Sequence, residues 1–205
     1  MAGGTVILEI VLAGIAGYLI GAIPTGVIVC RLFGAEDVRT TGSGHTGGLN
    51  VSRQAGLWGG AATAAVDLLL GLAAVTAGRL VSSNPWAAAA AGAMAVVGHD
   101  WSIYIRFGGG IGLAKLAGAT LGLAPLPALG GIAILGVIWF GLIKLARVHR
   151  NRATILLMPF FGPLMWLLGA SLPAAVAAAL GGLAVIAKTI PDLQRSYPDT
   201  GQPAG

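Results

Sequence analysis

Between Thr5 and Cys30 the only charged side chain in twenty-six residues is Glu9. A helix crosses the hydrocarbon core of a bilayer with about 17–25 mostly apolar residues, so this stretch is long enough to span one. Comparable stretches recur. Polar and glycine-rich punctuation divides the chain into seven apolar runs: Thr5–Arg31 (interrupted by Pro24), Leu57–Gly78, Trp86–Ile105, Leu113–Ala124, Ala128–Leu145, Ile155–Leu168 and Leu172–Ala187. Backbone polar groups in lipid must be satisfied within the segment, so runs of this kind specify helices. The expected fold is an all-α polytopic membrane protein with about seven transmembrane helices. The fourth run is short for a span and is expected to be tilted, packed inside the bundle or half re-entrant. One integral-membrane domain is expected over 1–195, followed by a disordered tail over 196–205.

Composition supports the same class. Hydrophobic residues make up 56% of the chain and charged residues 9%, against roughly 25% charged in a soluble domain. Small residues dominate the runs, which suits close helix approach in lipid. Cys30 is the single cysteine, which excludes an intrachain disulfide and a multi-cysteine metal site. No basic segment precedes the first run, so it is expected to be a retained span rather than a cleaved signal.

The net charge of +5 has a topological explanation that needs no nucleic acid. With seven alternating spans, eleven of the twelve Lys and Arg residues fall at one face and only Arg79 at the other. The positive-inside rule then puts the N-terminus outside and the C-terminus in the cytoplasm. Every glycine-rich polar loop faces the cytoplasm with it.

The first of those loops, Arg39 to Arg53, reads RTTGSGHTGGLNVSR. Glycines such as Gly42 and Gly44 free the backbone for positive φ and inward N–H groups. Ser43 and the flanking guanidiniums add donors suited to phosphate oxygens, so the loop reads as an anion cradle. The bland alternative is a flexible connector. Three further polar features fall on the same face: His99-Asp100 leading into Arg106–Gly112, the basic run Lys144–Arg152, and Lys188–Arg195. The basic run reads first as an anchor on anionic lipid head groups. Asp67, a lone carboxylate in an apolar run, is expected to be paired or functional. No ligand spacing points to a metal, no nucleophile elbow is present, and no cofactor is called for.

These residues resemble the bacterial PlsY-type membrane glycerol-3-phosphate acyltransferases. The resemblance runs through Tyr18–Pro24, Arg31, Gly34, Asp37, Arg39, Gly42-Ser43-Gly44, Asn50 and Arg53. Asp67 and Gly71 match the family's Asp-x-x-Lys-Gly; His99, Phe107, Gly109, Gly110 and Gly112 match a His followed by Phe-Lys-Gly-Gly-Lys-Gly. Leu70, Gly108 and Ile111 stand where that pattern has lysines, and the family's last motif is echoed only by Thr189, Asp192 and Arg195.

The resemblance implies transfer of an acyl group from acyl phosphate to the sn-1 hydroxyl of glycerol 3-phosphate, giving lysophosphatidate for phospholipid synthesis. It implies a bacterial inner-membrane enzyme, in contact with membrane lipids, with its site facing the cytoplasm. Catalytic roles would fall on Ser43, His99 and Asn50. Phosphate binding would fall on Gly42, Gly44, Arg53, Gly109, Gly110 and Gly112, with Arg106, Lys115 or members of the basic run replacing the missing lysine charges. Two other readings are a catalytically altered relative that binds a lipid or anionic metabolite, and a small transporter suggested by glycine-rich breaks in apolar segments.

Overall fold

The computed structural model describes residues 2–193, so Arg195 and the 196–205 tail lie outside the described residues. Nine α-helices account for most of the described residues: α1 (Ala2–Gly21), α2 (Thr25–Leu32), α3 (Gly48–Val81), α4 (Pro85–Asp100), α5 (Leu113–Leu123), α6 (Pro125–Lys144), α7 (Arg150–Leu157), α8 (Phe161–Leu167) and α9 (Leu172–Thr189).

Their boundaries follow local chemistry. Pro24 has no N–H to continue the helix, so α1 stops before it and α2 restarts one residue later. Gly56 interrupts α3 with φ 72° and ψ 177°, a conformation that favours glycine. The interruption leaves a short leading helix ahead of the long apolar one that begins at Leu57. Asn84 caps α4 by accepting a hydrogen bond from the Trp86 amide, and Pro85 occupies the first turn, where a missing N–H does no harm.

Among the described residues, four segments are long and apolar enough to cross a bilayer: Gly3–Leu32, Gly48–Val81, Pro125–Lys144 and Leu172–Asp192. The remaining expected runs are shorter. Helix α4 has 16 residues, about 24 Å at 1.5 Å per residue. Helix α5 has 11, about 16 Å by the same rise, which is half a bilayer core. Of the three options for this run the structure favours internal packing, since α5 is buried along Lys115, Leu116 and Gly118–Thr120. The sixth run is broken at Pro159 by a 3₁₀ turn between α7 and α8.

Small residues let the helices touch backbone to backbone. A Cβ on Gly17 or Gly21 of α1 would collide with the carbonyls of Ala91 and Ala95 on α4. Gly71 of α3 and Gly118 of α5 meet each other's helices in the same way, at Lys115 O and Leu68 O. This small-residue stacking supplies van der Waals contact where lipid offers no hydrophobic drive. A bulkier core of Val96, Leu116, Leu135, Phe161, Met165 and Val185 joins α4, α5, α6, α8 and α9. Large apolar side chains such as Ile7, Leu8, Val11 and Val137 are exposed, as a lipid-facing surface requires.

Candidate active site

Asn50 organises the opening loop. It is buried in the first turn of α3, and its Nδ2 donates toward the carbonyls of Val38 (2.9 Å), Thr41 (3.1 Å) and His45 (3.0 Å). Its Oδ1 accepts from the Ser43 amide at 3.3 Å. Gly42 and Gly44 turn with φ 55° and 70°, and a Cβ on Gly42 would strike Asn50 Oδ1. Asn50, for which a catalytic role is expected, thus holds the loop through both ends of its amide group. At the loop's outer edge Arg39 grips Asp37 through Nε and a terminal nitrogen at 2.6 Å, which lowers the Asp37 pKa to about 2.

The second loop, after α4, closes on itself. The Gly110 amide donates to His99 O at 3.1 Å, and the Gly112 amide to Asp100 Oδ1 at 2.7 Å. Gly109 lends its carbonyl to the Thr46 amide at 3.3 Å and to His45 Nδ1 at 3.3 Å. A Cβ on Gly109 would meet the His99 and Asp100 carbonyls, and one on Gly110 would meet the His99 ring. Of the amides expected to form a cradle over Gly109–Gly112, those of Gly110 and Gly112 have partners within the fold. Glycine is needed at 109 and 110 for close approach. Arg106 is exposed in a left-handed conformation (φ 57°) and does not line the cleft described below.

Beneath both loops lies a buried ionic cluster. Lys115 Nζ donates to Asp67 Oδ1 at 2.9 Å, and His99 Nδ1 stands 3.6 Å from the same oxygen. Lys115 is fully buried. Neither charge could sit at this depth alone, so each accounts for the other. Lys115 is thus neither a loop charge nor a cleft-lining phosphate ligand; it reaches the cleft only through Asp67.

The cleft has a volume of about 660 Å³. Ser43, Asn50, Arg53 and His99 all line it, together with Asp67. Gly42, Gly44, Gly109, Gly110 and Gly112 do not; Gly42 packs behind Asn50, and Gly109 and Gly110 behind His99. From the basic run, Arg150 and Asn151 enter, because His149 Nδ1 caps α7 by accepting from the Asn151 amide and so starts a helix there. From the end of α9 come Thr189 and Asp192. Asp192 is ion-paired with His45, and its carbonyl accepts from Asn151 Nδ2 at 3.0 Å. The start of α3, uncapped by any side chain, lies along the cleft at Gly47, Gly48 and Leu49. Early helix amides and arginines together favour anions. The opposite wall is apolar, with Leu57, Ala61, Ile111, Leu113 and Trp139.

Arg150, Asn151 and Asp192 were not singled out as site residues in the sequence. Their convergence depends on contacts across more than one hundred residues, such as His45 with Asp192. The available signals were their shared polar face, the echo of the family's last motif at Asp192 and the charge of the basic run.

The family model described as Glycerol-3-phosphate acyltransferase matches residues 11–197. The chain belongs to the glycerol-3-phosphate acyltransferase family. A curated glycerol-3-phosphate acyltransferase of Rubrobacter xylanophilus is 39% identical over 180 residues, covering 87% of this chain and 86% of that protein. One from a Synechococcus species is 36% identical over 201 residues, 95% of each. Among solved structures, PlsY (YgiH), an integral membrane glycerol 3-phosphate acyltransferase in its glycerol 3-phosphate form, superposes with a TM-score of 0.75 at 25% identity. That match covers 91% of this chain and 90% of PlsY. Its lysophosphatidic acid form gives 0.70 at 24% identity, a likeness of fold. This acyltransferase family gives the cleft its chemical context.

Proposed function

We propose that this chain transfers an acyl group from acyl phosphate to the sn-1 hydroxyl of glycerol 3-phosphate, releasing lysophosphatidate and inorganic phosphate. The observation that carries the reading is the composition of one cleft. Ser43, Arg53, Arg150 and the start of α3 offer donors to phosphate oxygens, beside His99 and Asp67, opposite a wall suited to an acyl chain. The family membership and the glycerol 3-phosphate form of the PlsY relative support the same substrate class.

In this reading the glycerol hydroxyl oxygen attacks the acyl carbonyl carbon. The carbonyl–phosphate oxygen bond breaks, and the departing phosphate takes the hydroxyl proton. The donor is already activated, so the protein's contribution is alignment of two anions and stabilisation of developing charge. Ser43 and Arg53 hold one phosphate; Arg150 and the Gly48 and Leu49 amides hold the other. His99, positioned by Asp67, borders the reacting atoms. Arg150 takes over the charge that the family pattern places on lysines at 70, 108 and 111, which here are Leu70, Gly108 and Ile111.

The topology follows from the same reading. The chain alternates through seven segments, some of them shorter than a full span, with the N-terminus outside and the C-terminus in the cytoplasm of a bacterial inner membrane. The cleft then opens to the cytoplasm, where Arg39, Arg53 and Arg150 cluster and Arg79 does not. The test is to incubate the purified protein in lipid with acyl phosphate and labelled glycerol 3-phosphate. Lysophosphatidate is the expected product; its absence from well-folded protein would leave the altered, non-catalytic relative as the better reading.

A further inference from the structure

A second, smaller cleft of about 260 Å³ adjoins the first and shares Leu113, Trp139 and Thr154 with it. Beyond that shared rim it runs between α5, α6 and α7, past Gly136 to Ile132, with Phe161 on its inner side. From Trp139 to Ile132 is seven residues of α6, about 10 Å along the helix. Among the described residues, no charged one lines it. Its two polar side chains satisfy one another, since Trp139 Nε1 donates to Thr154 Oγ1 at 3.0 Å and that hydroxyl donates to Arg150 O at 3.0 Å. An unpaired polar or ionic ligand would lose its hydration there without replacement, so the cleft selects hydrocarbon.

Gly136 marks the wall of this cleft. A Cβ there would meet no atom within 4 Å, unlike the glycines at helix contacts such as Gly17 and Gly71. It therefore does not serve close packing; its missing side chain leaves space in the cleft. The exposed, apolar Val137 and Ile138 beside it place this stretch of α6 against lipid, from which a chain can enter sideways.

We propose that the side cleft receives the distal part of the donor's acyl chain and that Gly136 sets the length of chain accepted. The proposal rests on the acyltransferase reading above. Continuity with the anion cleft selects this occupant over an unrelated bilayer lipid tail: the shared rim at Trp139 and Thr154 joins the polar end of the substrate to its hydrocarbon end.

The test compares Gly136→Phe with Gly141→Leu, using saturated acyl phosphates of increasing chain length. Gly141 also has nothing within 4 Å of a Cβ, but it lies outside the cleft. The expected result is a loss of kcat/KM for long donors relative to short ones of roughly tenfold or more in Gly136→Phe, the scale of a few displaced methylenes. KM for glycerol 3-phosphate should not change, and Gly141→Leu should keep the wild-type profile. An unchanged length profile in Gly136→Phe, or an equal loss at every length, would overturn the proposal while leaving the acyltransferase reading intact. Failure of the wild-type protein to acylate glycerol 3-phosphate with any donor would instead remove that reading, and this proposal with it.

Discussion

The loops over 39–50 and 106–112 are both rich in glycine and touch each other where Gly109 accepts from Thr46 and His45. Their glycines serve different ends. In the first, Gly42 and Gly44 supply positive φ, Asn50 ties the turns, and the start of α3 is left facing the cleft. In the second, Gly109 and Gly110 make room for the His99 backbone and ring, while the Gly110 and Gly112 amides bond inward. Most amides of both loops are bonded within the fold; what sets the first apart is that it leads into the start of α3, which lies along the cleft. A glycine-rich segment can serve an anion only through amides without a partner in the fold, and a glycine count does not show which those are.

Five perturbations would break or sharpen that contrast. The largest effect is expected at the support the loops share. Lys115→Met strips Asp67 of its partner and should destabilise the protein by about 3–5 kcal/mol, the usual result of leaving one buried charge alone. Thermal unfolding in detergent would measure it, and Lys115→Met combined with Asp67→Asn should recover part of the loss. Next is Gly110→Ala, whose methyl would press on the His99 ring; overpacking of this kind costs about 1–3 kcal/mol. Gly47→Ala in the first loop meets nothing within 4 Å and should unfold within a degree or two of wild type. Asn50→Ala leaves buried carbonyls without donors, at about 1–3 kcal/mol, and should raise the glycerol 3-phosphate KM as the loop loosens.

Apart from the near-silent Gly47→Ala, the smallest effect is expected at Arg39. The Asp37 pair is partly exposed, so Arg39→Ala should cost only about 0.2–1 kcal/mol. Its pH dependence has a fixed sign. Because the folded Asp37 pKa is lowered to about 2, the stabilisation is present above the unfolded value of about 3.9 and fades as pH falls toward 2. Wild type and Arg39→Ala should converge in stability across that window; a gap that widened on acidification would rule out the pairing.

Much of the fold was legible because membrane constraints are strict. The second apolar run was placed from Leu57, and Gly56 breaks α3 immediately before it. Pro24 divides the first run as its chemistry dictates. Asp67 stood out because a lone carboxylate is expensive among apolar residues, yet its partner was hidden: Lys115 lies 48 positions away and reads locally as a charge near a loop. The site was half legible. Ser43, Arg53 and His99 do share one cleft. The internal hydrogen bonds of Asn50, Gly110 and Gly112 were not legible, because composition counts donors but does not reveal which acceptors already hold them. The basic run reads first as an anchor on lipid head groups and only as a group as a source of replacement charge; nothing in RVHRNR singles out Arg150, which lines the cleft in the helix that His149 caps.

The most direct measurement compares three arginines. In a lysophosphatidate assay on protein reconstituted in lipid, kcat/KM would be determined for Arg53→Ala, Arg150→Ala and Arg106→Ala, with folding checked in each. Arg53 and Arg150 line the cleft and Arg106 does not. Loss of one donor to a developing or bound oxyanion is worth on the order of 100-fold or more, so the first two variants should fall by that much while Arg106→Ala stays near wild type. Full activity in Arg53→Ala and Arg150→Ala, or a collapse confined to Arg106→Ala, would contradict the assignment of the site to this cleft.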